Sequence, residues 1–463
     1  MSKQSYTSVQ LRFCARLFYA FTAAFCFMLL SAVQISAQAP TKEWDATFGG
    51  TGTDRLVQLS PTPDGGYILG GGSNSDLGGN KTTNDWGNFD YWVVKTNANG
   101  EKEWEVSLGG NSAETFRDIQ PTRDGGYIVG GTTASGQTGD ITDTSRGGTY
   151  DLWIVKLSST GAIEWNKRFG TSCDEGGGCV RQTNDGGFII GGYTSCGQEG
   201  DKTAAAQGGN DYWIIKTDSL GNKEWDAAFG GPGGESLFAL EQTRDGGYIL
   251  GGGSSGASGG HKTQNAFNGS LDYWVIKIDA NRNKEWDKTF GGDLTEVFGS
   301  LQQTADSGYI IGGFSDSYAS GNKTTNAYNS SSDYWVIKLN ASGNMEWQKQ
   351  YGTYSEDQLY SVRQTPDGGY ILGGVSLGGP PLGGDRTSPR RGTADYWVVK
   401  TNALGTKQWD IGFGGDNYNV LFSLELTPDG GYILGGYTNA DSSLDKTQDS
   451  LGANDYWIVK LAG

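Results

Sequence analysis

A chain of 463 residues ordinarily divides into two or three domains, but here 77 glycines and 15 tryptophans fall at fixed places in a long internal repeat, which excludes a collagen-like period and disorder alike. With Lys3, Arg12 and Arg16 set aside, 32 basic side chains face 52 acidic ones, a net charge of about −20 that opposes nucleic acid and anionic membrane surfaces. The single histidine, His261, excludes His-based triads and multi-His metal sites, and its place in a loop beside Gly260 and Lys262 predicts a solvated side chain.

The first 39 residues carry those three basic groups, no acid, and an apolar run over 17–33 that ends near Ala37-Gln38-Ala39. This layout predicts a secretory signal peptide cleaved after Ala37 or Ala39, leaving residues 40–463 as one domain. No later segment has the ~20 apolar residues of a membrane span.

From there three signatures recur seven times at a period of about 61 residues. Thr-x-Asp-x-Gly, followed by an aromatic, two branched apolar residues and a Gly pair, places its acid at Asp64, Asp124, Asp185, Asp245, Asp306, Asp367 and Asp429. Asp-Tyr-Trp (once Asp-Leu-Trp) starts at Asp90, Asp151, Asp211, Asp272, Asp333, Asp395 and Asp455. Glu-Trp or Gln-Trp supplies Trp44, Trp104, Trp165, Trp225, Trp286, Trp347 and Trp409, so only Trp86 lies outside the repeat.

Within a unit, apolar runs separated by Gly, Asn and Asp clusters predict four short strands, over 236–243, 247–253, 273–278 and 284–290 in the fourth. The first two join through the Thr-x-Asp turn, where glycine supplies positive φ and the Asp side chain accepts main-chain N–H groups. The second and third strands are apolar on both faces, as strands covered on both sides are. The fourth alternates, with Glu43, Asp45 and Thr47 opposite Trp44, Ala46 and Phe48, and reads as half exposed. Such units need a neighbour on each side. Because the repeat begins with a lone fourth strand and ends with a lone third strand, a closed ring is predicted: an all-β, seven-bladed β-propeller with the last blade completed by the N-terminal strand.

The same residues resemble the roughly sixty-residue repeats of secreted bacterial propeller proteins of the Bacteroidota type, similar to the delta-60 and bacterial β-propeller repeat groups. The resemblance spans essentially all of 41–463 and implies export and a propeller, not an activity. Many such relatives end in a sorting domain for type IX secretion, whereas this sequence ends at Leu461-Ala-Gly463. The Thr-x-Asp-x-Gly turn also resembles the Asp-box of sialidase-type propellers, and Gly221-Asn-Lys-Glu-Trp225 the Trp-docking motif of quinoprotein propellers. In both families these motifs hold blades together.

Both recurring acids are accordingly assigned to turns, the Thr-x-Asp set as turn formers and the Asp-Tyr-Trp set as acceptors where a loop re-enters its blade. The first strand is expected innermost. Three residues before each turn Thr is always apolar, and alternate neighbours should face a central channel: Ser60, Gln120, Arg181, Glu241, Gln302, Arg363 and Glu425 in one layer, Gln58, Asp118, Cys179, Ala239, Ser300, Ser361 and Ser423 in the next. Asp118, Arg181, Glu241, Arg363 and Glu425 are the candidate ligand-binding residues, with Arg181–Glu241 and Arg363–Glu425 as expected ion pairs. Loops between second and third strands, such as 73–89 and 375–394, diverge most and suit partner binding, although six share Lys or Arg before Thr, from Lys81-Thr82 to Lys446-Thr447.

Cys173, Cys179 and Cys196 fall in one unit, enough for one local disulfide. Acidic loop side chains such as Asp76, Asp85 and Asp90 offer oxygens for calcium, yet no Asp-x-Asp-x-Asp loop is present, so no metal or cofactor is expected. The leading functional expectation is an exported monomer without enzymatic activity that binds a protein or polysaccharide at the cell envelope. A glycan-active hydrolase or lyase and a purely structural envelope protein are the alternatives, and a concave, aromatic-lined channel mouth would favour binding over the structural reading.

Overall fold

Strand-length apolar runs joined by tight turns satisfy their backbone groups by pairing with the next run. In the computed structural model, which describes residues 38–329, 331–377 and 383–463, this gives seven four-stranded antiparallel sheets within Ala39–Gly463. The predicted signal peptide lies outside the described residues. In the fourth sheet the strands are Glu235–Gln242, Tyr248–Ser254, Asp272–Ile278 and Lys284–Phe290, paired in that order and within one residue of the sequence-based bounds. The turn between the first two places Gly246 at φ +84, a conformation L side chains rarely adopt. Asp245 accepts there from the Thr243 hydroxyl at 2.5 Å and the Gly247 N–H at 3.0 Å.

First strands of successive sheets touch all the way round, the last against the first. The fold is a seven-bladed β-propeller. Lys42–Phe48 pairs antiparallel with Asp455–Leu461 and supplies the outer strand of the seventh blade. Among the described residues no helix is long and apolar enough to cross a membrane.

The core lies between blades. The tryptophans of the third strands, such as Trp274 and Trp335, are fully buried; at ~25 cal/mol per Å² and ~200 Å² each, every one contributes roughly 5 kcal/mol of gross hydrophobic stabilisation. The preceding tyrosine ties the seam: Tyr212 donates to the Trp274 carbonyl at 3.0 Å, Tyr396 to Trp457 at 2.9 Å, and Tyr456 to Trp92 at 2.9 Å. Outer-strand tryptophans dock on the next blade's turn, where Trp286 lies so close over Gly343 that a methyl group there would overlap the ring.

The outer strand of the seventh blade departs from the half-exposed reading in its second half, whereas Met345–Tyr351 of the fifth blade stays part-exposed up to Gln350. Asp45, Ala46, Thr47 and Phe48 are all buried, because the loop between the second and third strands folds over the sheet edge. Asp45 accepts from the Thr447 N–H and the Trp457 indole N–H, both at 3.0 Å. The same clasp recurs at Asp226 with Thr203 and Trp213, which gives the Lys/Arg-Thr motif its packing role.

Candidate functional site

Seven first strands surround a cavity of about 260 Å³ that receives a side chain from every blade. Its wall departs from simple alternation, because each first strand carries a β-bulge, seen as the register shift between Leu237 and Ala239 or between Leu359 and Ser361. The extra residue turns inward. Val57, Arg117, Phe238, Tyr360 and Phe422 therefore form a channel layer absent from the predicted set, with glycines at the two remaining blades. The available signal was the variability of that column, which holds five residue types in seven blades and mixes aromatics with glycine and arginine.

Two arrangements dominate this layer. Arg117 of the second blade reaches past Gly178 to the fourth blade, donating to the Phe238 carbonyl at 2.8 Å with its guanidinium 5.2 Å from that ring's centre. Opposite, Tyr360 and Phe422 stand 4.6 Å apart. Phe314 at 6.3 Å and Tyr437 at 5.8 Å extend them into an aromatic series, ending where Arg55 lies 5.5 Å over Tyr437. The Tyr360 hydroxyl donates to Gln358 at 2.6 Å. Tyr360, Phe422 and Phe238 thus share the cavity wall with the guanidinium groups of Arg117, Arg181 and Arg363.

Four of the five predicted channel residues, Asp118, Arg181, Glu241 and Arg363, line this cavity, and Glu425 is paired with Arg363. Arg363 grips Glu425 of the next blade through Nε at 2.9 and 3.0 Å and Nη2 at 2.6 Å, and reaches back to Ser300 at 3.2 Å. Arg181 differs from expectation: it bonds Asp118 of the preceding blade, while Glu241 accepts the Gln303 N–H at 2.9 Å. The stagger of adjacent first strands explains the change, since Asp118 already reaches the Val180 N–H at 3.0 Å and sits beside the next Arg. Burial pushes the Glu241 carboxyl up, against the pull of the Gln303 N–H, Arg181 and Arg363.

The turn acids ring the opposite rim. Burial opposes ionisation of Asp64, but the Thr62 hydroxyl, Lys95 and the Gly66 N–H hold its carboxyl down at about 2, and Asp124, Asp185, Asp306 and Asp429 behave alike. Asp245 and Asp367 are lowered in the same way. The Asp-Tyr-Trp acids are fully buried and close their loops as expected, Asp272 accepting the Phe267 N–H at 2.6 Å and Asp211 the Gln207 N–H at 2.7 Å.

His261 is not solvated. It is half-buried edge-to-face on Phe229, ring centres 5.3 Å apart, and burial lowers its pKa. Cys173 and Cys196 form a disulfide while Cys179 is a free, buried thiol on the channel wall. With Glu199 the pair is the one grouping of metal-ligand type among the described residues, but bonded sulfurs are poor ligands. On the loop face Trp86, the tryptophan outside the repeat, is 57% exposed.

No family profile and no curated protein matches this chain. Solved structures similar to it include the WD40 domain of Neurospora crassa Pan2, with 10% identity, a TM-score of 0.45, and coverage of 93% of this chain and 92% of that one. A Dyadobacter fermentans protein of unknown function has 10% identity, a TM-score of 0.42, and coverage of 91% and 99%. An ulvan lyase bound to a glucuronate–sulfated rhamnose unit has 9% identity, a TM-score of 0.45, and coverage of 90% and 96%. Likenesses this distant leave function to be argued from the chain's own residues.

Proposed function

We propose that this protein is an exported, non-enzymatic binding module that receives a protein or polysaccharide partner at the mouth of its channel. The observation that carries this reading is the stacked pair Tyr360 and Phe422 in the cavity wall with Arg117, continued by Phe314 on one side and by Tyr437 under Arg55 on the other. Flat apolar rings with a few convergent polar groups are the usual composition of a ligand pocket. Deeper in, Arg181 is engaged by Asp118 and Arg363 by Glu425, so these charges shape the wall and offer less to a ligand than the rings do.

One observation favours a second reading, a glycan-active enzyme. The Glu241 carboxyl is pushed up by burial inside the same cavity, as a general acid requires.

A binding screen of the protein against glycan and envelope-protein arrays, with and without calcium and with turnover of each hit as a second readout, separates the two. A saturable hit that survives intact and weakens at least about tenfold in Tyr360→Ala and Phe422→Ala supports the binding module. A hit consumed by the wild type but not by Glu241→Gln would replace it with the enzyme.

A further inference from the structure

The aspartate that opens each third strand faces the first residue of the next blade's first strand. Asp272 meets Glu296, and Asp90 meets Glu114, with one oxygen of each crowding a single glycine, Gly291 or Gly109, at which no Cβ fits. Asp151 likewise faces Glu175 across Gly170 and Asp455 faces Asp54 across Gly49, while Asp211, acted on by Glu235, and Asp333, acted on by Asp357, complete the set of facing acids. All twelve groups are buried. In every one of these six seams the Asp Oδ1 facing its partner has no hydrogen-bond donor, although Oδ2 accepts a main-chain N–H.

The seventh seam differs in one residue. Asn419 stands where the others have an acid, and there Asp395 has both oxygens occupied, Oδ1 by the Gly392 N–H at 2.7 Å and Oδ2 by Arg386 at 2.6 Å. The orphaned oxygen disappears with the second carboxyl.

Charge runs the same way. At this end of each blade one buried cation serves the carboxyls: Lys202 lies between Glu175 and Asp211, and Lys262 between Glu235 and Asp272. Lys323 lies between Glu296 and Asp333, Lys81 faces Asp54, and Lys446 faces Asp455. Arg168 and Arg386 pair with Asp151 and Asp395. Thirteen seam carboxyls against seven cations would leave six uncompensated buried negative charges, and the desolvation cost of such charges is removed by protonation. Further acids raise the demand, Asp85 facing Asp54 and Asp90, and Asp140 facing Glu114. The seam tyrosines, such as Tyr273 beside Glu296, are buried and neutral.

We infer that six of the seven blade seams each hold one proton shared between two buried carboxyl groups, making the closed ring a form that acid stabilises and alkali loosens. A proton fits better than a metal ion, because the groups aimed at these carboxyls are donors: the Gly292 N–H and Ser315 hydroxyl on Glu296, the Phe267 N–H on Asp272. Burial, followed by the facing carboxylate, pushes Asp90, Asp272 and Asp333 up to about 8, and burial takes Glu175 and Asp357 to about 7. A carboxyl raised in the folded chain contributes stability that is complete below the unfolded value near ~4 and is lost as pH rises through the folded value. Each pair thus lowers the folding constant about tenfold per pH unit between those limits.

The test is infrared spectroscopy of the full chain in H₂O and D₂O from pH 5 to pH 10, with denaturant unfolding over the same range. Expected are a protonated-carboxyl band at pH 6 that shifts in D₂O and fades around pH 8, and a stability that falls from pH 5 to about pH 8 and levels off above it. Glu296→Gln, which supplies its own donor to Asp272, should remove part of the band and one tenfold step of the pH dependence. Asn419→Asp should add one of each. Absence of the band at pH 6 in the wild type overturns the inference whether or not the variants fold, and so does a divalent cation retained through dialysis against chelator in amounts matching the seams.

Discussion

Arg168 Nη1 donates to the carbonyl of Ser135 at 2.7 Å, the place that a loop lysine takes in other blades. Lys81 reaches Ser75 O at 2.8 Å, Lys262 Gly256 O at 3.0 Å and Lys323 Ser317 O at 2.7 Å, whereas the second blade has the buried Ile141 in the lysine position. A cation from the outer strand has replaced one from the loop. Its guanidinium also bonds the fully buried Asp151, so Arg168→Met leaves a buried carboxylate without its partner. The expected cost is about 3–5 kcal/mol by urea unfolding at neutral pH. Adding Ile141→Lys to that variant should restore most of the loss, while Ile141→Lys alone, with two cations in one site, should destabilise.

The turn acids set the acid limit. Asp64, Asp124, Asp185, Asp306 and Asp429 are held at about 2, so they contribute stability above the unfolded carboxyl range that is lost as pH falls toward 2. Their side chains are more than half exposed, so solvent screens each contribution and the effect is cumulative. Thermal melts should rise from pH 6 to about pH 4, as the cost of protonating the seam carboxyls falls, and drop steeply below pH 3, where the turn acids lose their charge. Replacing two turn acids, Asp245→Asn with Asp306→Asn, should lower the melting temperature at pH 6 and flatten the fall below pH 3. An unchanged acid slope would remove these turns from the account.

Blade number, strand order and ring closure were legible because the Thr-x-Asp, Asp-Tyr-Trp and Glu-Trp signatures each report a local rule: a turn, a doubly covered strand, a docking tryptophan. Hydrophobic alternation also placed Arg363 against Glu425. It failed at Phe238, Tyr360 and Phe422, because a bulge inserts one residue and turns the column inward without altering the apolar pattern on either side. It failed again at Arg181, whose partner Asp118 depends on the stagger between neighbouring strands, a quantity of packing. The seam pairs were hidden for a third reason. Asp272 and Glu296 belong to different blades, and the second position varies among Asp, Glu and Asn, so it does not read as a motif.

The disulfide between Cys173 and Cys196 spans 23 residues and ties the entry to the third blade's first strand to its own long loop. Closing a loop of that size restricts the unfolded chain by about 3 kcal/mol in the chain-entropy account. Cys173→Ser with Cys196→Ser should therefore lower unfolding free energy by about 2–4 kcal/mol without changing the spectrum of the folded protein. Reductant should reproduce the loss in the wild type and have no further effect on the double variant.

The last blade carries the ring's one chain break, and the geometry shows how to mend it. Lys42–Phe48 is held to Asp455–Leu461 by strand pairing, by Asp45 on Thr447 and Trp457, and by the Ala462 N–H on the Thr41 carbonyl at 2.9 Å. Deleting residues 40–48 would leave Asp455–Leu461 with an open edge and uncover Trp457, so the shortened chain should lose cooperative unfolding and self-associate on a sizing column. In the fourth blade five residues, 279–283, join the third strand to the outer one. Linking Gly463 to Pro40 through a single added glycine puts five residues between Leu461 and Lys42 as well. A permuted chain built that way, opened between Phe48 and Asp54, should fold with the stability of the parent to within about 1 kcal/mol, since it keeps every strand pair and moves the break to a surface connection. If the permuted chain were as impaired as the deletion, Lys42–Phe48 would be needed for its place at the start of the chain, and pairing would not be its role.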